Sequence, residues 1–218
     1  MGRFFSGVPW LTMGHVKVVI VDYGAGNLRS VARAVEHAGG RPVVSSDPRD
    51  VERAEAVVMP GVGAAANTMR SLEALGLAEP LRQYILEGRP FLGVCMGQQV
   101  LFEFSEEGGL HRCLGILRGR VVRLPQGLKV PHMGWSPVRV VRPHPFLDGV
   151  RDGEYFYFVH SYYPRPEEPD VVAAVAHYGV EFPAVVAKGN LVATQFHPEK
   201  SGEAGLRLYR NFLRLARQ

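Results

Sequence analysis

Two short runs carry side chains that could make and break an acyl bond. In Pro90-Phe91-Leu92-Gly93-Val94-Cys95-Met96-Gly97-Gln98-Gln99 an apolar strand pattern meets Gly-x-Cys-x-Gly, and a helix is expected over Gln98–Glu103. This is the thiol counterpart of a nucleophile elbow, a strained strand-to-helix turn that lifts a nucleophile above a sheet. Gly93 and Gly97 suit such a turn, because side chains there would strike neighbouring backbone. Cys95 would open a helix whose dipole favours a thiolate. A free cysteine is more often a small buried hydrophobe, so the motif needs partners to carry weight. Gln195-Phe196-His197-Pro198-Glu199-Lys200 supplies them after an expected strand, Leu191–Gln195. Pro198 stiffens the turn, and Glu199 can accept an imidazole N–H and hold the tautomer that turns His197 toward Cys95. His197 is one of eight histidines and stands out by the carboxylate two positions on. Cys113, between Arg112 and Leu114 with no elbow around it, reads as structural.

Acyl transfer also needs donors for an oxyanion. The elbow provides the Met96 backbone N–H. A second donor could come from Met59-Pro60-Gly61-Val62-Gly63, where two glycines let a backbone N–H turn into a site. Locally this is an ordinary strand-to-helix turn. It gains weight because it ends the strand that precedes the elbow strand, in a sheet whose carboxyl edge would host ligands.

The elements that must position these residues are legible as hydrophobic runs. Val16–Asp22, Ala54–Met59 and Pro90–Val94 are apolar without alternation, as strands covered on both faces are. Helices are expected over Leu28–Ala38, Ala64–Leu72 and Leu77–Glu87, with a short β segment at Pro42–Ser45. Strand and helix in alternation imply βαβ units. The second half breaks into short β-rich pieces: Gly119–Leu124, Val138–Val141, Glu154–Tyr162, Val171–His177, Ala184–Lys188 and Leu191–Gln195. The expected fold is a single α/β domain: a central, mainly parallel sheet flanked by helices, with an antiparallel extension.

Length and composition agree with one domain. The chain has 218 residues, 46% of them hydrophobic and 21% charged. No apolar stretch approaches the roughly 18 residues of a spanning helix, so a soluble protein is expected. Two cysteines suit a reducing cytoplasm. The net charge of +4 is partly concentrated in a last amphipathic helix, where Arg207, Arg210, Arg214 and Arg217 form a solvated basic face. Without a reading motif or interleaved aromatics this does not point to nucleic acid. The histidines show no zinc-type spacing, and neither a metal nor another cofactor is expected. Residues 1–15 have neither the h-region nor the cleavage site of a secretory signal. They are expected to be an extension, 16–218 forming the domain.

Pro60-Gly61-Val62-Gly63, Gly93-Val94-Cys95-Met96-Gly97 and His197-Pro198-Glu199 together resemble the three motifs of the class I (triad-type) glutamine amidotransferases, in order and spacing. The resemblance implies a flavodoxin-like amidotransferase fold. It also implies Cys95 as nucleophile, His197 as general base and acid, Glu199 as its orienting partner, and a γ-glutamyl thioester hydrolysed by water. Gln99, one helical turn past the nucleophile, matches a glutamine-binding position. Asp22-Tyr23-Gly24-Ala25-Gly26-Asn27, Ser105-Glu106-Glu107-Gly108, Val130-Pro131-His132-Met133-Gly134-Trp135 and Phe158-Val159-His160-Ser161-Tyr162 resemble the branch of the family that is the glutaminase subunit of imidazole glycerol phosphate synthase, in histidine biosynthesis. By that resemblance His160, Ser161 and Tyr162 join the substrate-binding set. The implied partner is a cyclase subunit with a (β/α)8 barrel, forming a heterodimer that makes imidazole glycerol phosphate and an aminoimidazole carboxamide ribonucleotide from released ammonia. Asn27, Trp135 and Lys200 are then expected at the partner interface; without the resemblance Trp135 would read as core. Ser136 departs from the usual Asn, which bears on a partner contact and not on the chemistry. The alternatives are the glutaminase of another synthase and a stand-alone γ-glutamyl cysteine hydrolase.

Overall fold

The computed structural model of the protein describes residues 15–218. The expected extension over residues 1–15 therefore lies, but for His15, outside the described residues. Strand β1 (Lys17–Val21) sets the layering. Its Val18 and Ile20 join one apolar cluster with Val31, Val35, Leu208 and Phe212, while Val19 and Val21 join another with Val51, Leu72 and Leu81. Side chains alternate across a strand, so a β-branched run without polar gaps must be covered on both faces. In β3 (Ala56–Met59), β4 (Phe91–Val94) and β13 (Leu191–Thr194) every residue is buried. Helices α1 (Leu28–His37) and α6 (Gly202–Leu215) cover the first face. The second is covered by α2 (Pro48–Glu52), α3 (Ala65–Ala74) and α4 (Ala78–Leu86). Each large side chain so buried contributes about 1.5–3 kcal/mol.

The main sheet has nine strands in the order β2-β1-β3-β4-β13-β12-β11-β8-β9, with β2 at Arg41–Ser45, β8 at His132–Val140, β9 at Glu154–His160, β11 at Val172–His177 and β12 at Glu181–Lys188. Pairing is parallel from β2 to β13 and antiparallel from β13 to β9. A parallel core with an antiparallel extension is the architecture expected. Its consequence for function lies in the order β3-β4-β13. The three motif turns leave the carboxyl ends of adjacent parallel strands, with the elbow in the middle.

The structure departs from the sequence reading where tertiary pairing overrides local preference. The helix expected over Gln98–Glu103 is a single turn, α5 (Met96–Gln99). The carbonyls of Val100, Leu101 and Phe102 instead accept from Leu114, Ile116 and Gly115, and β5 (Phe102–Ser105) enters a second sheet. That sheet runs β10-β7-β5-β6, with β6 at His111–Arg112, β7 at Leu117–Arg123 and β10 at Tyr162–Pro166. The expected Glu154–Tyr162 segment is two strands, β9 and β10, in different sheets with Ser161 between them. The strand expected at Val138–Val141 begins at His132, because β9 pairs with it from His132 to Val138 despite Gly134 and Pro137; β11 reaches only Val138–Val140, leaving the Pro137 stretch without a second neighbour. The basic face of α6 is partly engaged within the chain: Arg207 meets Glu154 at 2.8 Å, Arg210 meets Glu203 at 2.6 Å and Arg214 meets Asp148 at 3.5 Å. Among the described residues no helix is long and apolar enough to cross a membrane.

Candidate active site

At the end of β4 the backbone turns sharply. Cys95 has φ 54 and ψ −104, the one positive φ outside glycine among the described residues. Neighbouring backbone holds this strained conformation: Cys95 N–H donates to Thr194 O at 2.7 Å, and Cys95 O accepts from Gln98 and Gln99. The two flanking glycines are required by contact. A Cβ on Gly93 would strike the Gly97 carbonyl, and one on Gly97 would strike the Met59 carbonyl at the end of β3. The elbow is therefore clamped from both adjacent strands. Because α5 is one turn long, the thiol's electrostatic partner is a side chain and not the dipole of an extended helix.

That side chain is His197. Its Nδ1 donates to Glu199 Oε1 at 2.9 Å, with side-chain exposures of only 3% and 2%. Its Nε2 is buried without a hydrogen-bond partner. Burial disfavours the imidazolium, but Cys95 and Glu199 outweigh it and hold His197 up at about 10. The turn is seated by Ser201, whose hydroxyl donates to His197 O at 2.7 Å and accepts from Tyr157 N–H. Gly205 lets α6 pack against it, since a Cβ there would run into the Pro198 carbonyl. By contrast, Cys113 is buried away from any such group, and burial pushes its thiol up to about 11.

On the other side of the elbow lies the Pro60–Gly63 turn. Gly61 admits no side chain, since a Cβ would sit 2.5 Å from Met96 Cβ and 2.6 Å from the Tyr23 hydroxyl. Gly63 takes φ 95 in open space. No backbone acceptor among the described residues receives the N–H of Met96, Gly61, Val62 or Gly63. Cys95, Met96, Gln99, Val62, Gly63, His160, Ser161, Tyr162 and His197 line one cavity of about 180 Å³ together with Glu107 and Val159. Glu199 stands behind His197 and Gly61 beneath the turn; neither lines the cavity.

Residues 19–216 match the family described as glutamine amidotransferase class-I. The chain belongs to this family. Among its relatives are proteins named imidazole glycerol phosphate synthase subunit HisH. That of Syntrophotalea carbinolica is 52% identical over 202 residues, covering 89% of this chain and 98% of the relative. Those of Geobacter sulfurreducens and Dehalococcoides mccartyi (strain CBDB1) are 50% and 49% identical, covering 90% and 91% of this chain and 97% of each relative. A solved structure described as a glutamine amidotransferase superposes with TM-score 0.73 at 24% identity, covering 92% of this chain and 99% of that one. The structure of PurLQS from Thermotoga maritima does so with TM-score 0.73 at 19% identity, over 92% and 99%. These two establish the fold.

The site also includes groups to which the sequence reading gave no role. Gln195 is buried, and its amide donates to Cys95 Sγ at 3.6 Å. Its signal was a polar residue closing an otherwise apolar strand. Glu107 brings a carboxylate to the cavity while its Oε2 accepts from Ala65 N–H at the start of α3. The Val159 carbonyl lies 3.9 Å from Cys95 Sγ. Gln99 uses its amide nitrogen on Tyr162 O (2.9 Å) and Gln195 Oε1 (3.1 Å), leaving Oε1 unpartnered.

Of the expected interface residues, Trp135 is not core: it is 54% exposed and edge-on to Tyr157 at 6.1 Å. Lys200 Nζ lies 5.8 Å over the same Tyr157 ring. Met133, Trp135 and Tyr155 on the β8–β9 ribbon form an exposed strip with Lys200 on the turn beside it. Asn27 is exposed before α1, beyond the end of β1; α1 packs against the Pro198–Lys200 turn. The half-buried Ser136 turns its hydroxyl to its own chain, 2.8 Å from His132 Nε2.

Proposed function

We propose that the chain is the glutaminase subunit of imidazole glycerol phosphate synthase, acting in the cytoplasm in histidine biosynthesis. Identity near 50% over about nine-tenths of the chain to several HisH subunits carries this reading. Glutamine enters the cavity, its α-ammonium met by Glu107 and by the free Oε1 of Gln99, groups whose charge and polarity suit an amino acid. Cys95 attacks the side-chain carbonyl as thiolate. His197, protonated in the resting site, gives its Nε2 proton to the departing ammonia, and the γ-glutamyl thioester remains on Cys95. His197, now neutral, takes a proton from water as it attacks the thioester and keeps it as the thiolate departs, which restores the resting pair, while the new γ-carboxyl of glutamate loses its proton to water. Glu199 keeps Nδ1 protonated throughout, so that Nε2 is the nitrogen that exchanges protons. Met96 N–H and one N–H of Gly61-Val62-Gly63 receive the oxyanion; a single such donor is worth about 10²–10³ in rate.

Ammonia set free in water would be protonated and lost as a nucleophile. A partner that consumes it must therefore cover the cavity mouth, and the exposed strip of Met133, Trp135, Tyr155 and Lys200 has the aromatic character of a binding surface. The partner is a cyclase with a (β/α)8 barrel, which joins the ammonia to a ribonucleotide. The test is a mixture of the chain, the cyclase and its ribonucleotide with isotopically labelled glutamine amide. Label in the imidazole product supports the reading; glutamate formed at the same rate with and without cyclase, with no label transferred, overturns it.

A further inference from the structure

Between the exposed strip and the thiol runs a line of hydrogen bonds whose direction can be worked out from one end. The Tyr162 carbonyl can only accept, so His160 Nδ1, 2.9 Å away, carries a proton. Burial keeps His160 neutral, pulling it down to about 3, so its Nε2 is bare and must accept. The neighbour at 3.0 Å, His132 Nδ1, is then the donor. Burial also pulls His132 down; its Nε2 is bare in turn and accepts the Ser136 hydroxyl at 2.8 Å. Gly134, between His132 and Ser136 on β8, leaves open space where a side chain would stand. The His132 ring is held between aromatic neighbours, stacked on Tyr178 at 4.2 Å and on Phe158 at 5.1 Å.

At its inner end the line reaches the reacting groups. The Tyr162 carbonyl that takes the His160 proton also takes one amide hydrogen of Gln99, whose second goes to Gln195 Oε1. Gln195 in turn donates to Cys95 Sγ. With both hydrogens engaged, the Gln99 amide has one orientation, which leaves its Oε1 free at the cavity wall.

We propose that Ser136, His132 and His160 are positioning residues, a one-way relay that fixes the Gln99 and Gln195 amides and ties the Trp135-bearing strand to the thiol. The kinetic part rests on glutamine being the substrate; the spectroscopic part does not. Nitrogen NMR of the imidazoles in the full chain near neutral pH is expected to show both His132 and His160 neutral and protonated at Nδ1, the minor tautomer of free imidazole side chains. Ser136→Ala removes the donor to His132 Nε2 and is expected to let the Nε2–H tautomer of His132 grow in. In glutamine hydrolysis with the cyclase present, Ser136→Ala and His132→Phe are each expected to raise KM about fivefold, the worth of one neutral hydrogen bond, with a smaller change in kcat. The double variant is expected to equal His132→Phe alone, and Ser136→Thr to restore the wild-type KM. Phe keeps the aromatic stack, so equal melting temperatures separate positioning from misfolding. An Nε2–H tautomer on His132 in the wild type overturns the relay even if the chain proves not to hydrolyse glutamine. So does an unchanged KM in both single variants, or additive effects in the double.

Discussion

Replacing Glu199 by Gln is the most informative single change, because it keeps shape and removes one charge. Glu199 Oε1 accepts the His197 Nδ1–H at 2.9 Å, and neither side chain is more than 3% exposed, so solvent screening does not dilute the interaction. A hydrogen bond to a charged partner is worth about 1.5–3 kcal/mol. If that stabilises the imidazolium as it gives its proton to ammonia, kcat falls about 10- to 150-fold at tenfold per ~1.4 kcal/mol. KM for glutamine stays close to wild type, since Glu199 does not line the cavity. The pH dependence carries a sign as well. His197 is held above its ordinary value, at about 10, by Cys95 and Glu199 against the opposing effect of burial. Without the carboxylate it loses its proton at lower pH, so the alkaline limb of the pH–rate profile moves down. The assay is glutamate release with the cyclase and its ligand present, between pH 6 and about 10, with Cys95 alkylation followed over the same range. His197→Asn, which removes the proton carrier itself, is expected to cost more. A Glu199→Gln enzyme that is as slow as His197→Asn, or whose alkaline limb does not move, would refute this division of roles.

Cys95→Ala is expected to lose at least about 10³-fold in glutamine turnover with the fold and partner binding retained; a glutamine-like electrophile should label Cys95 and spare Cys113, whose thiol burial pushes up to about 11, as peptide mapping checks. Gly97→Ala drives a Cβ against the Met59 carbonyl and should lower Tm by roughly 2–12 °C, from an overpacking cost of about 1–3 kcal/mol. Trp135→Ala, at an exposed aromatic, should weaken cyclase binding by about 2 kcal/mol in calorimetry and leave Tm unchanged.

The parallel core was legible because its inner strands β1, β3 and β4 lie in apolar runs between turn residues, which two-sided burial explains; the edge strand β2, Arg41–Ser45, carries no such run. The elbow was legible for a related reason: Gly93 and Gly97 are demanded by backbone contacts that any such turn makes. What pattern could not supply was non-local. Gln-Gln-Val-Leu-Phe-Glu favours helix, yet Val100–Phe102 give their carbonyls to Leu114–Ile116, a pairing with no local signature. The split of Glu154–Tyr162 between two sheets, and the extension of β8 through Gly134 and Pro137, depend on which strands lie alongside. Gln195 and His132 make hydrogen bonds to residues far along the chain, and only the folded structure pairs them.

The measurement closest to the central claim is glutamate release by the wild-type chain and by Cys95→Ala, each alone and with the cyclase carrying its ribonucleotide. The wild type is expected to be slow alone and faster with the loaded cyclase, by about 10²–10³ if one oxyanion donor at Gly61-Val62-Gly63 is brought into line, while Cys95→Ala stays silent in both states. Equal wild-type rates with and without the cyclase would contradict partner control, and turnover by Cys95→Ala at the wild-type rate would contradict the site itself.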